Sequence, residues 1–220
     1  MEVIKYAEPT EAVSYLAGVI NDKLQTGKTV LWLVPVGSAI KIAAKVAKQL
    51  RPPLNGLTVT LTDERYGPAG HHDSNWLQML ETGLLLPGAT LQPVLNGKSL
   101  SQTVNHYNQT LRDDLKQADF SIALAGMGPD GHIFGIKPGS PAINASEDVV
   151  GYEWNDYVRI TPTLKMIKSL DEVVIYAVGE EKWPQFELLS KDINPSGQPA
   201  QLLKQLKKVI IFTDYRGEIK

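Results

Sequence analysis

The chain contains no cysteine among its 220 residues. This absence excludes disulfide bonds, metal sites built on thiolates and a cysteine nucleophile. No uninterrupted apolar run approaches the roughly 20 residues that a helix needs to span a bilayer, and the first residues, Met1 to Lys5, lack the apolar core of a secretion signal. These features predict a cytoplasmic protein that does not enter a membrane.

The chain also lacks an excess of positive charge. Its 22 lysines and arginines stand against 24 aspartates and glutamates, which gives a formal net charge of −2. The broad basic field that attracts proteins to nucleic acids or anionic membranes is therefore missing. Neither nucleic acid nor a membrane is an expected partner, and any site for an anionic ligand must be local. The length predicts a single α/β domain over residues 1–220.

Apolar residues alternate between helical and strand-like spacing along the chain. Helices are predicted over residues 10–26, 38–50, 74–85, 100–116 and 180–190. Buried strands are predicted over residues 29–35, 57–61, 119–125, 173–178 and 209–213. An irregular hairpin is predicted over residues 149–160, with Asn155 and Asp156 in its turn. This alternation predicts a Rossmann-like three-layer α/β sandwich, with a mainly parallel sheet and helices on both faces.

The segment from Ala125 to His132 is the most informative motif in the sequence. It reads AGMGPDGH and follows a predicted strand, so it combines three glycines with the carboxylate of Asp130 and the imidazole of His132. Glycines let a backbone turn sharply and approach a ligand closely, and α/β proteins place such turns at strand ends. Histidine exchanges protons near neutral pH. The motif therefore predicts an active-site loop.

The same segment spells G-x-G-x-x-G, which is the fingerprint of a dinucleotide-binding turn. That fingerprint opens a substantial helix whose N-terminus faces the phosphates, yet Pro138 and Gly139 interrupt the chain within about two helical turns of Gly131. It also belongs to a complete βαβ unit, which the aromatic-rich stretch after Gly151 does not resemble. The sequence therefore favours a catalytic loop over a nucleotide site.

Two other predicted loops carry groups that suit a phosphate. Gly37 and Ser38 stand between a strand and a helix, where backbone amides and the helix dipole attract anions. The other interpretation is an ordinary turn with Ser38 as the helix N-cap. Arg159 ends the predicted hairpin and Lys182 begins a late helix, and each would either grip a phosphate or pair with a surface carboxylate. Open α/β sheets gather ligands at strand ends, but neither segment alone decides between the two interpretations.

A further cluster places three charges directly after an apolar strand. Asp63, Glu64 and Arg65 are followed shortly by Asp73-Ser74-Asn75. Either these residues form part of a site, or they belong to a solvated loop in which Asp73 or Ser74 caps a helix. The adjacent His71-His72 pair lacks further metal ligands nearby, so an exposed loop is favoured there and no metal is expected.

These segments together resemble the 6-phosphogluconolactonase family and, more distantly, the glucosamine-6-phosphate deaminases, which share its fold. Residues 63–65 with 73–75 are similar to the lactonase DER…DSN pattern, and residues 126–132 are similar to its GMGxDGH loop. Residues 159–163 resemble the family's RIT-x-T segment, and residues 179–182 its late G-x-x-K segment. The resemblance covers most of the chain, which is identified as a divergent member of the family.

The resemblance implies hydrolysis of 6-phosphoglucono-1,5-lactone to 6-phosphogluconate in the oxidative pentose phosphate route, without a metal or other cofactor. It implies that neutral His132 takes a proton from the attacking water and returns it to the ring oxygen, while Asp130 orients the loop or stabilises the imidazolium. The residues implied to hold the phosphate are Gly37, Ser38, Arg159 and Lys182. Those implied to hold the sugar are Asp63, Arg65, Asn75, Gly128 and Gly131.

The chain departs from the family's enzyme patterns in two segments. Lactonases read GHTASLFP where this chain reads GHIFGIKP, and deaminases carry a glutamate at the place of Lys137. Val36 replaces the first glycine of the family's Gly-Gly-Ser loop. Ile133 and residues 138–140 are closer to the deaminase pattern, but Lys137 reverses the charge of its glutamate, so a deaminase or isomerase acting on a sugar phosphate is the second candidate. A non-catalytic sugar-phosphate-binding protein is the third, because phosphate binding alone does not require Asp130 and His132.

Overall fold

The structure is a computed structural model that describes residues 1–5, 8–155 and 157–218. Its helices are α1 Pro9–Gln25, α2 Ile40–Ala47, α3 Asn75–Glu81, α4 Leu100–Gln117, α5 Leu164–Ile167 and α6 Trp183–Leu189. Its strands are β1 Glu2–Lys5, β2 Val30–Val34, β3 Leu57–Leu61, β4 Glu64–Arg65, β5 Thr90–Leu91, β6 Phe120–Ala125, β7 Val149–Glu153, β8 Val158–Pro162, β9 Glu172–Ala177 and β10 Val209–Thr213. Short 3-10 helices cover Gly37–Ala39, Pro141–Ile143, Glu180–Lys182 and Pro199–Gln205.

Seven strands form one sheet in the order β1-β10-β9-β6-β2-β3-β5, and all of their pairings are parallel. Every residue of β2, β9 and β10 is buried, so the sheet is covered on both faces. Continuous apolar strands of this kind are typical of parallel sheets packed between helices. The predicted α/β fold with a mainly parallel sheet is thereby confirmed. Within the described ranges, no helix has both the length and the apolar composition needed to cross a bilayer.

A second, smaller sheet lies beside the first. Its three antiparallel strands follow the order β4-β8-β7. Strands β7 and β8 form the predicted hairpin, whereas β4 was not predicted because two residues are too short to show a periodic pattern. Asp156, in the predicted hairpin turn, lies outside the described residues. Arg159 pairs with Arg65 across the two neighbouring strands, so both side chains lie on the same face of the small sheet.

Helix boundaries differ from the predicted ones where local geometry interrupts the turns. The helix predicted over 38–50 begins as a 3-10 helix and ends at Ala47. The one predicted over 74–85 ends at Glu81, because Gly83 then takes a left-handed backbone with φ of 74°. The one predicted over 180–190 is divided into a 3-10 helix and α6, whose first turn contains Pro184. The edge strand β1 was also missed.

The order of the strands defines where a ligand site is expected. Strand β2 pairs with β3 on one side and with β6 on the other, so the direction of winding reverses between β2 and β6. Parallel sheets gather ligands outside the carboxyl ends of the strands at such a reversal. A methyl group built on Gly126, after β6, would lie 3.9 Å from the Ser38 hydroxyl, after β2. The loops that follow these two central strands are therefore in contact.

Candidate active site

A cavity of about 440 Å³ opens at the carboxyl ends of β2, β3, β6 and β9. Most of the site residues predicted from the sequence line this cavity, and two do not. The residues that line it are Gly37, Ser38, Asp63, Arg65, Asn75, Gly128, His132, Arg159 and Lys182. The two exceptions belong to the same loop. Asp130 contacts the cavity through His132, and Gly131 packs against Gln185 and Gln198 instead. The segments singled out in the sequence thus lie around one cavity.

The loop after β2 exposes Gly37 and Ser38 at one part of this cavity. Gly37 has φ of 70°, a left-handed backbone that favours glycine. Val36 has φ of −117° and ψ of −173°, which is extended backbone open to any residue, so the valine here causes no strain. The interpretation of Ser38 as a helix cap is wrong, because Val36 and Ala39 occupy the N-cap positions. The Ser38 hydroxyl is therefore available to other hydrogen-bond partners.

The principal partner of Ser38 is a buried lysine. Lys182, in the 3-10 helix after β9, is only 5% exposed and lines the cavity. Its ammonium donates to the carbonyl of Val178 at 2.8 Å and to the Ser38 hydroxyl at 3.4 Å. An ammonium carries three donors and is costly to bury without partners. Lys182 thus places a positive charge against the Gly37-Ser38 loop, where it suits an anionic ligand.

Asp63, Asn75 and Arg159 form a polar wall of the cavity. The Asn75 amide donates to the Asp63 carbonyl at 2.8 Å and lies 3.4 Å from its carboxylate. The Arg159 guanidinium lies 3.9 Å from the same carboxylate. Tyr157, which the sequence analysis missed, packs near two cations, with its ring centre 4.3 Å from the guanidinium carbon of Arg65 and 5.8 Å from that of Arg159. Stacking of this kind stabilises guanidinium orientation.

Glu64 is a second residue that sequence reasoning left without a role. Its fully buried carboxylate accepts hydrogen bonds from the backbone amides of Arg65, Asn75 and Trp76 and from the Ser74 hydroxyl. Burial raises the pKa of the Glu64 carboxyl, and these four donors act against that rise. Ser74 caps α3, as one of the two interpretations expected, because its hydroxyl accepts from a backbone amide of the first turn at 3.3 Å. The segment is nevertheless not a solvated loop at this point, since Glu64 and Ser74 are buried. Glu64 fixes Arg65 and Asn75 at the cavity wall.

We expect Glu64→Ala to lower the free energy of unfolding by about 3 kcal/mol, because it leaves several buried donors without an acceptor. Urea unfolding followed by circular dichroism measures the change. Glu81→Ala, at the exposed end of the same helix, is the matched control and should stay within about 0.5 kcal/mol of the parent protein. Equal effects of the two substitutions would contradict the anchoring role of Glu64.

Asp130 and His132 form a close pair at the end of the loop after β6. Nδ1 of His132 lies 2.5 Å from Oδ1 of Asp130, and the backbone amide of His132 donates to the same oxygen at 3.2 Å. Partial burial alone would raise the pKa of the Asp130 carboxyl. Hydrogen bonds from the ring and the backbone amide of His132, with a hydrogen bond from Lys137, outweigh burial and hold that pKa well below its usual range. Asp130 is therefore ionised at neutral pH.

Two glycines of this loop have distinct structural roles. A methyl group on Gly128 would overlap Nδ1 of His132 and lie 2.6 Å from Oδ1 of Asp130, so only glycine leaves room for the pair. Gly131 has φ of 79°, and its amide donates to the Gly128 carbonyl at 3.0 Å, which closes the turn. Among the described residues, no α-helix begins between Gly131 and Leu164. A dinucleotide-binding turn would lead directly into such a helix.

A tight turn carries the chain from His132 to Lys137. Phe134 and Gly135 have φ of 53° and 74°, and the amide of Ile136 donates to the Ile133 carbonyl at 2.7 Å. Two positive φ values at the central positions are typical of a type I′ turn. The hydroxyls of Thr161 and Tyr152 donate to the carbonyls of Phe134 and Gly135, respectively, which fixes the turn against the small sheet. Lys137 consequently enters the cavity from a rigid support.

Comparison with known proteins identifies a matching family model and solved structures of the same fold. The model of the family described as glucosamine-6-phosphate isomerases/6-phosphogluconolactonase matches residues 7–211. A 6-phosphogluconolactonase of Caulobacter vibrioides is 29% identical over 168 residues, covering 70% of this chain and 69% of that protein. The crystal structure of a 6-phosphogluconolactonase from Shewanella baltica has a TM-score of 0.82 at 20% identity and covers 97% of both chains.

A solved monomeric glucosamine-6-phosphate deaminase is similar to the chain to nearly the same degree. Its TM-score is 0.78 at 18% identity, again with 97% of both chains covered. The fold alone therefore does not separate the two enzyme classes, and the choice depends on side chains in the cavity. The match of the family model along almost the whole chain confirms the resemblance found in the motifs. The chain belongs to the glucosamine-6-phosphate isomerase/6-phosphogluconolactonase family.

Proposed function

We propose that the protein hydrolyses 6-phosphoglucono-1,5-lactone to 6-phosphogluconate, with His132 as the general base. The observation that carries this proposal is the orientation of the imidazole. Nδ1 faces ionised Asp130, while Nε2 has no hydrogen bond to any described residue and belongs to a ring that lines the cavity. An imidazole held in this way offers a lone pair to a bound water. The name of the Caulobacter vibrioides relative supports the same reaction.

The proposed reaction proceeds through a tetrahedral intermediate. Nε2 of His132 takes a proton from water as the water oxygen bonds to the lactone carbonyl carbon. The bond from that carbon to the ring oxygen then breaks, and Nε2 returns the proton to the departing oxygen, which becomes a hydroxyl. The new carboxylic acid releases its proton to solvent. Asp130 remains ionised throughout and stabilises the imidazolium that exists between the two transfers.

The phosphate of the substrate would bind where Gly37, Ser38 and Lys182 meet, with Arg159 on the adjoining wall. The exposed loop offers backbone amides, and Lys182 adds a buried cation that bonds the Ser38 hydroxyl. Binding a group remote from the reacting carbon fixes the lactone without changing its reactivity. The amides of Gly128 and Gly131 already bond within their own loop. These two amides are therefore not the donors that would stabilise the negatively charged oxygen of the tetrahedral intermediate.

We expect Lys182→Met to raise KM for the phosphorylated lactone about tenfold or more, because a charge-assisted hydrogen bond to the phosphate is lost. Kinetic measurements on glucono-1,5-lactone, which lacks the phosphate, provide the control. Rates on that substrate are low for both proteins, but their ratio should change little. A similar loss of kcat/KM on the two substrates would place Lys182 outside the phosphate site.

A direct comparison of products tests the proposed function. Purified protein is given freshly prepared 6-phosphogluconolactone, and acid release is followed against the spontaneous hydrolysis of the lactone. A parallel sample receives glucosamine 6-phosphate, and ammonia is measured. Accelerated acid release without ammonia is the expected result. Ammonia without accelerated lactone opening would contradict the proposal and favour a deaminase, whereas thermal stabilisation by either sugar phosphate without product would indicate a binding protein.

A further inference from the structure

Lys137 occupies a position that neither enzyme pattern of the family explains. Its side chain is 14% exposed and lines the cavity, and its backbone amide donates to the Tyr152 hydroxyl at 3.3 Å. The ammonium lies 3.1 Å from Oδ2 of Asp130 and 3.0 Å from Nδ1 of His132. A lysine thus completes a cluster in which each of the three side chains lies within hydrogen-bond distance of the other two.

The distances determine which of these contacts are hydrogen bonds. Nδ1 of His132 carries either one proton or one lone pair in the plane of the ring. Because Oδ1 of Asp130 lies only 2.5 Å away and carries negative charge, a proton on Nδ1 is needed between the two atoms. The ammonium of Lys137 therefore cannot bond Nδ1 as well, and its proton is donated to Oδ2. Both oxygens of the carboxylate are then occupied.

The carboxylate has few other restraints on its orientation. The Asp130 side chain is 41% exposed and stands on a loop that continues into Gly131. Among the described residues, its side-chain hydrogen bonds are those with His132 and Lys137. An exposed ion pair contributes little when both side chains are mobile. Lys137 is largely buried on a rigid turn, so less side-chain entropy is lost when it holds Asp130.

We propose that Lys137 is a positioning residue that holds Oδ2 of Asp130, so that Oδ1 keeps the proton of His132 on Nδ1. In the neutral ring, the lone pair is then on Nε2, which faces the cavity. Lys137 acts on the reaction through Asp130 and does not contact the substrate. The kinetic consequence rests on the proposed lactone hydrolysis, whereas the effect on the imidazole is a property of the protein without substrate.

Nitrogen-15 NMR of the histidine rings tests the positioning without any substrate. Wild-type His132 should show a protonated Nδ1 and an unprotonated Nε2, and Lys137→Met should shift both resonances towards a mixture of tautomers. Lys137→Arg, which keeps a charged donor, should restore the wild-type pattern. The matched control is Lys165→Met, because Lys165 lies 2.9 Å from Asp148 in a similar pair away from the cavity. An unchanged His132 spectrum in Lys137→Met would overturn the proposal.

Kinetics on the lactone provide the second measurement. Lys137→Met should lower kcat about tenfold, because a slightly misplaced base loses rate steeply, while KM stays within about twofold. Lys137→Arg should recover most of kcat. A higher KM with unchanged kcat would instead show direct substrate contact and overturn the positioning role. If Lys137→Met does not fold, Lys137→Gln serves in both measurements. If the wild-type protein does not hydrolyse the lactone, the proposed function is wrong. The NMR measurement then decides alone whether Lys137 positions Asp130.

Discussion

Replacing His132 with glutamine is expected to lower kcat/KM for 6-phosphogluconolactone by about a thousandfold, because a general base of this kind contributes on the order of 10² to 10⁴ in rate. Glutamine is polar and of similar reach, so it fills the space beside Asp130 without accepting a proton. The residual rate should come from substrate positioning alone. Initial rates measured after subtraction of spontaneous lactone hydrolysis give the result.

A second histidine provides the control for this experiment. His106 lies exposed on α4, outside the residues that line the cavity. His106→Gln should leave kcat/KM within about twofold of the parent value, as expected for a surface substitution away from the site. If His132→Gln behaved like His106→Gln, another group would have to activate the water, and the proposed mechanism would be wrong.

The second large effect is expected from one methyl group. Gly128→Ala should lower kcat/KM about a hundredfold, because an added carbon would occupy the place of Nδ1 of His132 and lie 2.6 Å from the Asp130 carboxylate. The loop lies at the cavity surface, so the imidazole can rotate away without unfolding the core. We therefore expect a much smaller effect on the melting temperature than on catalysis, as measured by thermal denaturation alongside the assay.

Gly126→Ala is the matched control, since Gly126 lies in the same loop and also lines the cavity. A methyl group there would meet Ala39 at 3.8 Å and the Ser38 hydroxyl at 3.9 Å, which are ordinary contacts. Its loss of kcat/KM should be much smaller than that of Gly128→Ala. Comparable losses would mean that the loop tolerates no side chain at all, and that the overlap with His132 is not the reason.

The sequence predicted the central sheet because its strands are short apolar runs separated by amphipathic helices, and this pattern is local. It also predicted the loops at the carboxyl ends of β2, β3, β6 and β9, since parallel strands that alternate with helices leave no other common edge. Glycine-rich and charged segments predicted to contribute to a site line one cavity in the structure. The position of Gly131 was not predictable, because its contacts come from Gln185 and Gln198, far along the chain.

Residues whose roles depend on distant partners escaped the sequence analysis. Glu64 reads as one of three adjacent charges, and its burial follows only from the return of the chain at residues 74–76. Tyr157 reads as one aromatic residue in a hairpin, and its closeness to two guanidinium groups depends on the register of β4 with β8. Local patterns do not encode such pairings, because burial and register are set by the assembled fold.

The hydrogen bond from Lys182 to Ser38 joins two loops that are 144 residues apart along the chain. Bringing the ends of so long a segment together costs chain entropy before stabilising contacts form. Parallel sheets that pair distant strands fold slowly for this reason. The proposed phosphate site would therefore form only when β2, β6 and β9 have aligned side by side. A partly folded chain would lack this anion site, so return of substrate binding during refolding reports completion of the central sheet.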